Sequence, residues 1–209
     1  MLKDTGVIYE YRTYTLGLGQ LQQYFDAGKH AGIRKDEKFG RLVGSWLSEF
    51  GTYHQFHHIW AYSSLDARQA ARAELSEHEE FSQRFLKTAW PAMQMQEVRF
   101  MTAQTDITPP ERPALFYEAR IYRTEVGQFA EGTQAILERP CNGTRFGLWV
   151  SETPQPNEIV EITAYADFAR RLADRIRQPE QSAWLVRHKG LFQIVNNMLL
   201  DPLSIAETG

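Results

Sequence analysis

Two short runs hold most of the side chains in this chain that could do chemistry together. Glu10, Arg12 and Tyr14 alternate in one, and His58, Trp60 and Tyr62 alternate in the other. In an extended strand every second residue shares a face, so each run presents its polar groups to a single surface. An acid, a guanidinium, phenols and an indole on one surface would line a polar cavity for a small organic ligand. In such a cavity Arg12 would anchor an anionic group and Tyr14 would donate a hydrogen bond. His58, or a carboxylate of the cavity, would be the candidate general base, because imidazole titrates near neutral pH. Glu97 and Arg99, also alternating, can join them. The plainer reading is that the Glu-Arg pairs fix strand register and the aromatics fill the core, since ion-pair networks often serve structure alone.

The same pattern occurs twice. Tyr9-Glu10-Tyr11-Arg12-Thr13-Tyr14 returns as Tyr117-Glu118-Ala119-Arg120-Ile121-Tyr122, and Gly44-Ser45-Trp46 returns as Gly147-Leu148-Trp149. The register continues through Ile59, Ala61, Tyr62, Arg68 and Arg72, which match Ile162, Ala164, Tyr165, Arg171 and Arg175. A repeat of this length is one structural unit used twice. Positions alike in both copies are most simply scaffold. The copies part at His58, matched by Glu161, and at Trp60, matched by Thr163, and a single site is expected where they differ. The candidate ligand-binding residues are therefore Glu10, Arg12, Tyr14, His58, Trp60, Tyr62, Arg120 and Glu161.

The elements that must carry these residues follow from periodicity and punctuation. In the first copy strands are expected over 7–15, 41–49, 53–62 and 96–101, and helices over 18–30 and 64–75, with a short helical face at Phe81, Phe85 and Ala89. In the second copy strands are expected over 115–123, 144–152, 158–165 and 194–200, and helices over 127–138 and 168–176. Ser64 and Asp167 stand where helix N-caps belong. The order strand, helix, strand, strand, helix, strand is that of an α+β ferredoxin-like domain. Residues 104–114 hold three prolines and read as a stiff linker between domains 1–103 and 115–209. Each sheet would have helices on one face only, and its bare face needs cover. The expectation is that the two sheets cover each other, with His58, Trp60 and Tyr62 looking toward the other sheet and the smaller His57, Ile59 and Ala61 packed under helices.

The totals remove several function classes. A net charge of -3 over 209 residues gives no electrostatic case for nucleic acid or an anionic membrane. No apolar run approaches the ~18 residues that span a bilayer. The N-terminus shows neither a signal peptide nor an Arg-rich transit segment, so a cytoplasmic location is expected. The lone Cys141 permits no internal disulfide and has no base beside it in sequence. His54, His57 and His58 lack metal-site spacing, and phosphate-binding glycine loops are absent. No metal and no cofactor are expected.

The Tyr-Glu-x-Arg-x-Tyr strand, the Gly-x-Trp strand ending in Ser-Glu, and His58-Ile59-Trp60-Ala61-Tyr62 before a Ser-Leu-x-x-Arg helix resemble the NIPSNAP family. The resemblance runs from about Tyr9 to Met101; the second copy is looser, with Pro154 and Pro156 in its hairpin. It implies a dimeric α+β barrel fold, here formed within one chain as a pseudo-dimer that can assemble further. The family has no established catalytic reaction, so the resemblance implies binding of a small organic ligand or a protein partner. The alternative it offers is a cofactor-independent monooxygenase or isomerase of the wider superfamily. Haem proteins also occur there, and His30 or His188 would be the axial ligand in that case.

Overall fold

The computed structural model describes residues 6–31, 37–175 and 179–203, apart from the side chains at 30, 31 and 194. The chain is α+β and divides into two units. Among the described residues, one unit comprises 6–100 with 202–203 and the other 101–201.

The first unit starts with β1 (Ile8–Leu16) and α1 (Leu21–Ala31). After a 3-10 turn (Glu37–Phe39) come β2 (Arg41–Ser48), β3 (Gln55–Tyr62) and α2 (Leu65–Glu77). A π-helical turn (Glu80–Phe85) then runs straight into α3 (Leu86–Ala92), and β4 (Met93–Ala103) closes the unit and leads into the next. The second unit holds β5 (Phe116–Thr124), α4 (Phe129–Glu138), β6 (Thr144–Thr153), β7 (Glu158–Tyr165), α5 (Phe168–Arg175), α6 (Pro179–Arg187) and β8 (Phe192–Pro202). Strand order is β4–β1–β3–β2 in the first unit and β8–β5–β7–β6 in the second, the ferredoxin-like arrangement. Both expected caps form: Ser64 Oγ accepts from Ala67 N at 3.0 Å, and Asp167 Oδ1 accepts from Arg170 N at 2.8 Å. Residues 104–114 contain neither helix nor strand. Gln104 N and Thr108 N nonetheless donate to the carbonyls of Leu148 and Phe146 in β6.

Register fixes which residues share a surface. Arg12 stands opposite His58, Glu10 opposite Trp60 and Tyr14 opposite Phe56. In the second unit Arg120 stands opposite Glu161, Glu118 opposite Thr163 and Tyr122 opposite Ile159. These surfaces pack on each unit's own helices. Tyr14 and Phe56 cluster with Tyr24 and Phe25 of α1 and with Ala89 and Ala92 of α3, while Trp60 and Tyr62 meet Ala71 of α2. The expectation that His58, Trp60 and Tyr62 turn away from the helices is therefore corrected. Size alone suggested small side chains for the helix-packed face, but here large aromatics on the strands meet small residues on the helices, Ala89 and Ala92 of α3 and Ala71 of α2.

The Gly-x-Trp pattern has a steric cause. Each glycine follows a register shift in its strand, between Leu42 and Gly44 and between Arg145 and Gly147. The indole two residues later lies against the glycine Cα, so a Cβ at Gly44 would overlap Trp46, and one at Gly147 would overlap Trp149. Both indoles are buried, and each is held by its glycine. Gly44→Ala should destabilise the fold by about 1–3 kcal/mol through overpacking, read as a lowered urea midpoint; an unchanged midpoint would remove the steric account.

On the opposite face of the first sheet, Tyr11 OH lies 2.9 Å and Thr13 Oγ1 3.3 Å from Nδ1 of His57. Burial, with a smaller contribution from Arg99, lowers the His57 pKa from 6.5 to about 3. Above pH 6.5 the ring is neutral whether the chain is folded or not. Below it the unfolded chain binds a proton that the folded chain refuses, so this group costs stability at about 1.4 kcal/mol per pH unit. Urea titrations between pH 6.5 and 5 should show that loss, and His57→Leu should flatten it; equal slopes in the two proteins would show that His57 is not its source.

Candidate functional site

In the first unit a cavity of about 370 Å³ opens between sheet and helices. Its floor is Arg12 and Tyr14 from β1 and His58, Trp60 and Tyr62 from β3. Its walls are Tyr24 and Gly28 of α1, Arg72 and Leu75 of α2, Phe81 and Phe85 of the π-helical turn, and Trp90 of α3. The π-helical turn brings two phenyl rings 5.5 Å apart to one side of this space; single π turns inside helices often accompany functional sites. Volume and lining are those of a small-molecule pocket, apolar with a few convergent polar groups.

Five of the sequence candidates, Arg12, Tyr14, His58, Trp60 and Tyr62, meet here. Glu10 lies beneath them with no exposed surface. It is tied to Arg68 of α2, whose Nη2 donates to Oε1 at 2.7 Å. Glu97 and Arg99 do not join the group. The alternation of β4 puts Gln96 at the cavity and turns Glu97 and Arg99 to the other face, where both act electrostatically on Tyr11.

Charge is unevenly compensated at this cavity. Among the described residues, Arg12 makes one ion pair, to Glu10 at 3.8 Å, and stands 5.2 Å from the Tyr14 ring; its Nε has no hydrogen-bond partner. Arg72 makes no ion pair among them; its guanidinium stands 6.0 Å from the Phe81 ring. Burial, then repulsion from Arg12, lowers the Arg72 pKa. The described lining holds no Asp or Glu. Tyr62 is pushed up to about 12, by burial first and then by Glu10, and so stays a hydrogen-bond donor. Trp60 Nε1 donates to Nδ1 of His58 at 2.7 Å. With Nδ1 so occupied, a neutral His58 carries its proton on Nε2. In this arrangement the imidazole is a donor through Nε2.

The second unit resolves the same charges internally. Glu161, with no exposed surface, accepts from Arg139 Nη2 at 2.9 Å, Arg145 Nε at 2.9 Å and Tyr122 OH at 3.0 Å. Arg120 stands 3.8 Å away. Burial alone would raise the Glu161 pKa, but Arg139, Arg120 and Arg145 together hold it below the usual carboxylate range. Glu118 accepts from Arg120, from Arg171 at 3.0 Å, from Arg175 at 2.8 Å and from Asn197 at 3.0 Å. A cavity of about 530 Å³ lies over Arg120 and Arg139, with Trp184 and His188 among its lining. Every guanidinium of this network donates to a carboxylate. Cys141 is a part-buried thiol whose pKa burial raises, and its Sγ donates to Gly143 O. The side chain of His30 lies outside the described residues; the His188 ring packs against Trp184.

Sequence reasoning missed Arg68 as the partner of Glu10 and Arg72 as a cavity residue, and likewise Arg139 and Arg145 as partners of Glu161. For the first two the signal was present: arginines four apart on α2 recur four apart on α5, below two buried glutamates.

The NIPSNAP family model matches residues 9–106. The chain belongs to the NIPSNAP family. Protein NipSnap homolog 3B of Mus musculus is 26% identical over 128 residues, 60% of this chain. That match spans about half of the mouse relative's own length (51%). A NIPSNAP family protein of unknown function from Agrobacterium tumefaciens is 33% identical over 48% of this chain and 90% of its own, with a TM-score of 0.44. A candidate monooxygenase from Fusobacterium nucleatum is similar across 97% of this chain and 95% of its own, with a TM-score of 0.70 and 12% identity. An anthrone oxidase-like protein covers 98% of this chain and 94% of its own at a TM-score of 0.66 and 9% identity. The NIPSNAP sequence match lies in the first unit and its exit, whereas the fold likeness extends over both units.

Glu161→Gln should destabilise the protein by about 3–5 kcal/mol, because it leaves buried guanidiniums without their counter-charge. Chemical denaturation measures this, and a loss below about 1 kcal/mol would show that the network is not held by that carboxylate.

Proposed function

We propose that this NIPSNAP protein binds a small organic anion in the cavity of its N-terminal half. One observation carries the reading: Arg12 and Arg72 face an aromatic-lined space with no acidic residue in its described lining, and the nearby Glu10 is already held by Arg68. A buried guanidinium is stable only with a counter-charge or good hydrogen bonding, and a bound anion supplies both. In this reading Arg12 and Arg72 hold the charge, Tyr14 and Tyr62 donate, and Trp60 with the phenyl rings takes the apolar body. Glu10 positions Arg12 without touching the ligand, and Arg120 and Glu161 keep the C-terminal half self-sufficient. The halves, 1–103 and 115–209 joined by 104–114, are read as two copies of one unit, only the first retaining a ligand site. The protein is read as cytoplasmic, acting on a small molecule and not on nucleic acid or membrane. In keeping with this, no helix among the described residues is long and apolar enough to cross a membrane.

A second reading, a cofactor-independent monooxygenase or isomerase, draws support from the whole-chain likeness to a candidate monooxygenase and an anthrone oxidase-like protein. In it the same arginines hold the substrate, and His58 stabilises a developing oxyanion by donating to it.

Thermal melts and calorimetry against a panel of aromatic and aliphatic organic anions test the binding reading. At least one anion should raise the melting temperature. Arg12→Gln and Arg72→Gln should each weaken it about tenfold or more, the equivalent of one charge-assisted hydrogen bond of about 1.5–3 kcal/mol. Absence of any stabilising anion, or binding indifferent to both variants, refutes the reading.

A further inference from the structure

We infer that the ligand's anionic group is a carboxylate, and that Glu161 of the C-terminal half marks where it sits. This inference rests on the anion-binding reading above and gives it a chemical class: one carboxylate on a ring-sized apolar body.

The argument uses the two halves as controls for each other. Arg12 opposite His58 and Arg120 opposite Glu161 are the same register position in equivalent strand pairs. In the C-terminal half the strand residue at this position is itself a carboxylate, and it receives Tyr122 at 3.0 Å and guanidiniums at 2.9 Å. Of the groups around Glu161, the N-terminal half retains the equivalents of Tyr122, as Tyr14, and of Arg120, which stands 3.8 Å from Glu161, as Arg12, but has an imidazole in place of the acid. The carboxylate at this position is gone while part of its surroundings remains. The other arginines change in step. Arg175 donates to Glu118 at 2.8 Å, whereas its counterpart Arg72 lines the cavity instead of pairing with Glu10. Arg145 is matched in register by Leu42, because Arg145 stands opposite Thr163 and Leu42 opposite Trp60. Arg72 thus supplies the second guanidinium, and the rest of the environment has become apolar.

Guanidinium forks pair with carboxylate and phosphate alike, so the carboxylate is assigned from the C-terminal half, where the group at this register position is one. A phosphate or sulfonate would bring a third polar oxygen into a cavity walled by Phe81, Phe85 and Trp90. Those walls and a volume of about 370 Å³ fit one or two fused rings.

Isothermal titration calorimetry of the full chain decides, using probes that share one body: 2-naphthoate, naphthalene-2-sulfonate, 2-naphthyl phosphate and naphthalene-2-methanol. The naphthoate should bind with a stoichiometry of one and at least tenfold more tightly than the other three. His58→Glu builds the internal carboxylate into the N-terminal half; it should cut naphthoate affinity at least tenfold while the melting temperature holds or rises. Should that variant not fold, Glu161→Ala tests the same idea in reverse. It removes the side chain that occupies the carboxylate position of the C-terminal half, beside the cavity over Arg120 and Arg139, so naphthoate should raise its melting temperature more than that of the wild type, and the stoichiometry should approach two. Sulfonate or phosphate binding as tightly as naphthoate overturns the carboxylate assignment but leaves an anion site standing. Undiminished naphthoate binding by folded His58→Glu, or no added naphthoate response in Glu161→Ala, overturns Glu161 as the marker. If none of the three anions binds, or Arg12→Gln leaves their binding intact, the anion-binding reading itself fails.

Discussion

Glu10 and Glu118 are carboxylates buried in the middle of a strand, on the side where helices pack. Taking such a charge out of water costs several kcal/mol unless hydrogen-bonding partners come with it, and in each half a helix supplies the partner. Arg68 of α2 reaches Glu10 at 2.7 Å, and Arg171 of α5 reaches Glu118 at 3.0 Å. This one contact ties the register of the first strand to the rotation of the helix that covers it. If the helix turned by one residue, the guanidinium would leave and the carboxylate would be stranded. The aromatic packing around it has no comparable directionality, so the ion pair determines which helix face points inward, and with it which further arginine, Arg72 or Arg175, comes to the sheet.

From that shared anchor the halves balance their remaining charge in different ways. The C-terminal half adds a second buried acid, Glu161, and recruits Arg139 and Arg145 to it, which yields a connected polar network. Each guanidinium there donates to a carboxylate, although Nε of Arg139 and of Arg171, like that of Arg12, has no hydrogen-bond partner. The N-terminal half has His58 in place of that acid, with the Trp60 indole N–H donating to its Nδ1 at 2.7 Å. This pair offers Arg12 no counter-charge. One strand residue therefore separates a half in which each network guanidinium donates to a carboxylate from one in which Arg12 stands 3.8 Å from Glu10 and Arg72 makes no ion pair among the described residues.

The sequence made much of this legible, and the failures share a cause. Strand alternation, the two N-caps and the Gly-x-Trp pairs are local, and local rules located them within a residue or two. The helix α6, which starts at Pro179 with Glu180 in its first turn, carried ordinary start signals and was missed although the first copy has a helical segment at the same place, between α2 and β4. The choice of face was not local. Size and polarity suggested that small residues lie under helices, whereas Arg68, Tyr24 and Phe85 pack onto the strand face that carries Glu10, Tyr14 and Phe56. Which face is covered was encoded in the arginines of α2 and α5, four apart in both copies, and only became readable once they were paired with the glutamates on the strands.

That pairing also bears on where function can reside. Natural sequences follow consistent local rules except where a site requires otherwise, and the exceptions cost stability. In this chain the two halves obey the same strand order, the same Gly-x-Trp packing and the same Glu-to-helix-Arg anchor. They differ in whether the guanidiniums next to that anchor are neutralised by the protein. A purely structural role for the Glu-x-Arg strand would make the C-terminal solution the better one in both places, since it leaves no buried cation short of a partner. The N-terminal half departs from it at the one position where an acid would neutralise Arg12. An open, aromatic-walled volume beside incompletely paired arginines is a poor way to build a core and a good way to build a receptor. The register pin and the ligand site are in this sense the same motif: the glutamate and helix arginine set the geometry, and the residue opposite Arg12 decides whether that geometry is closed by the protein or by what it binds.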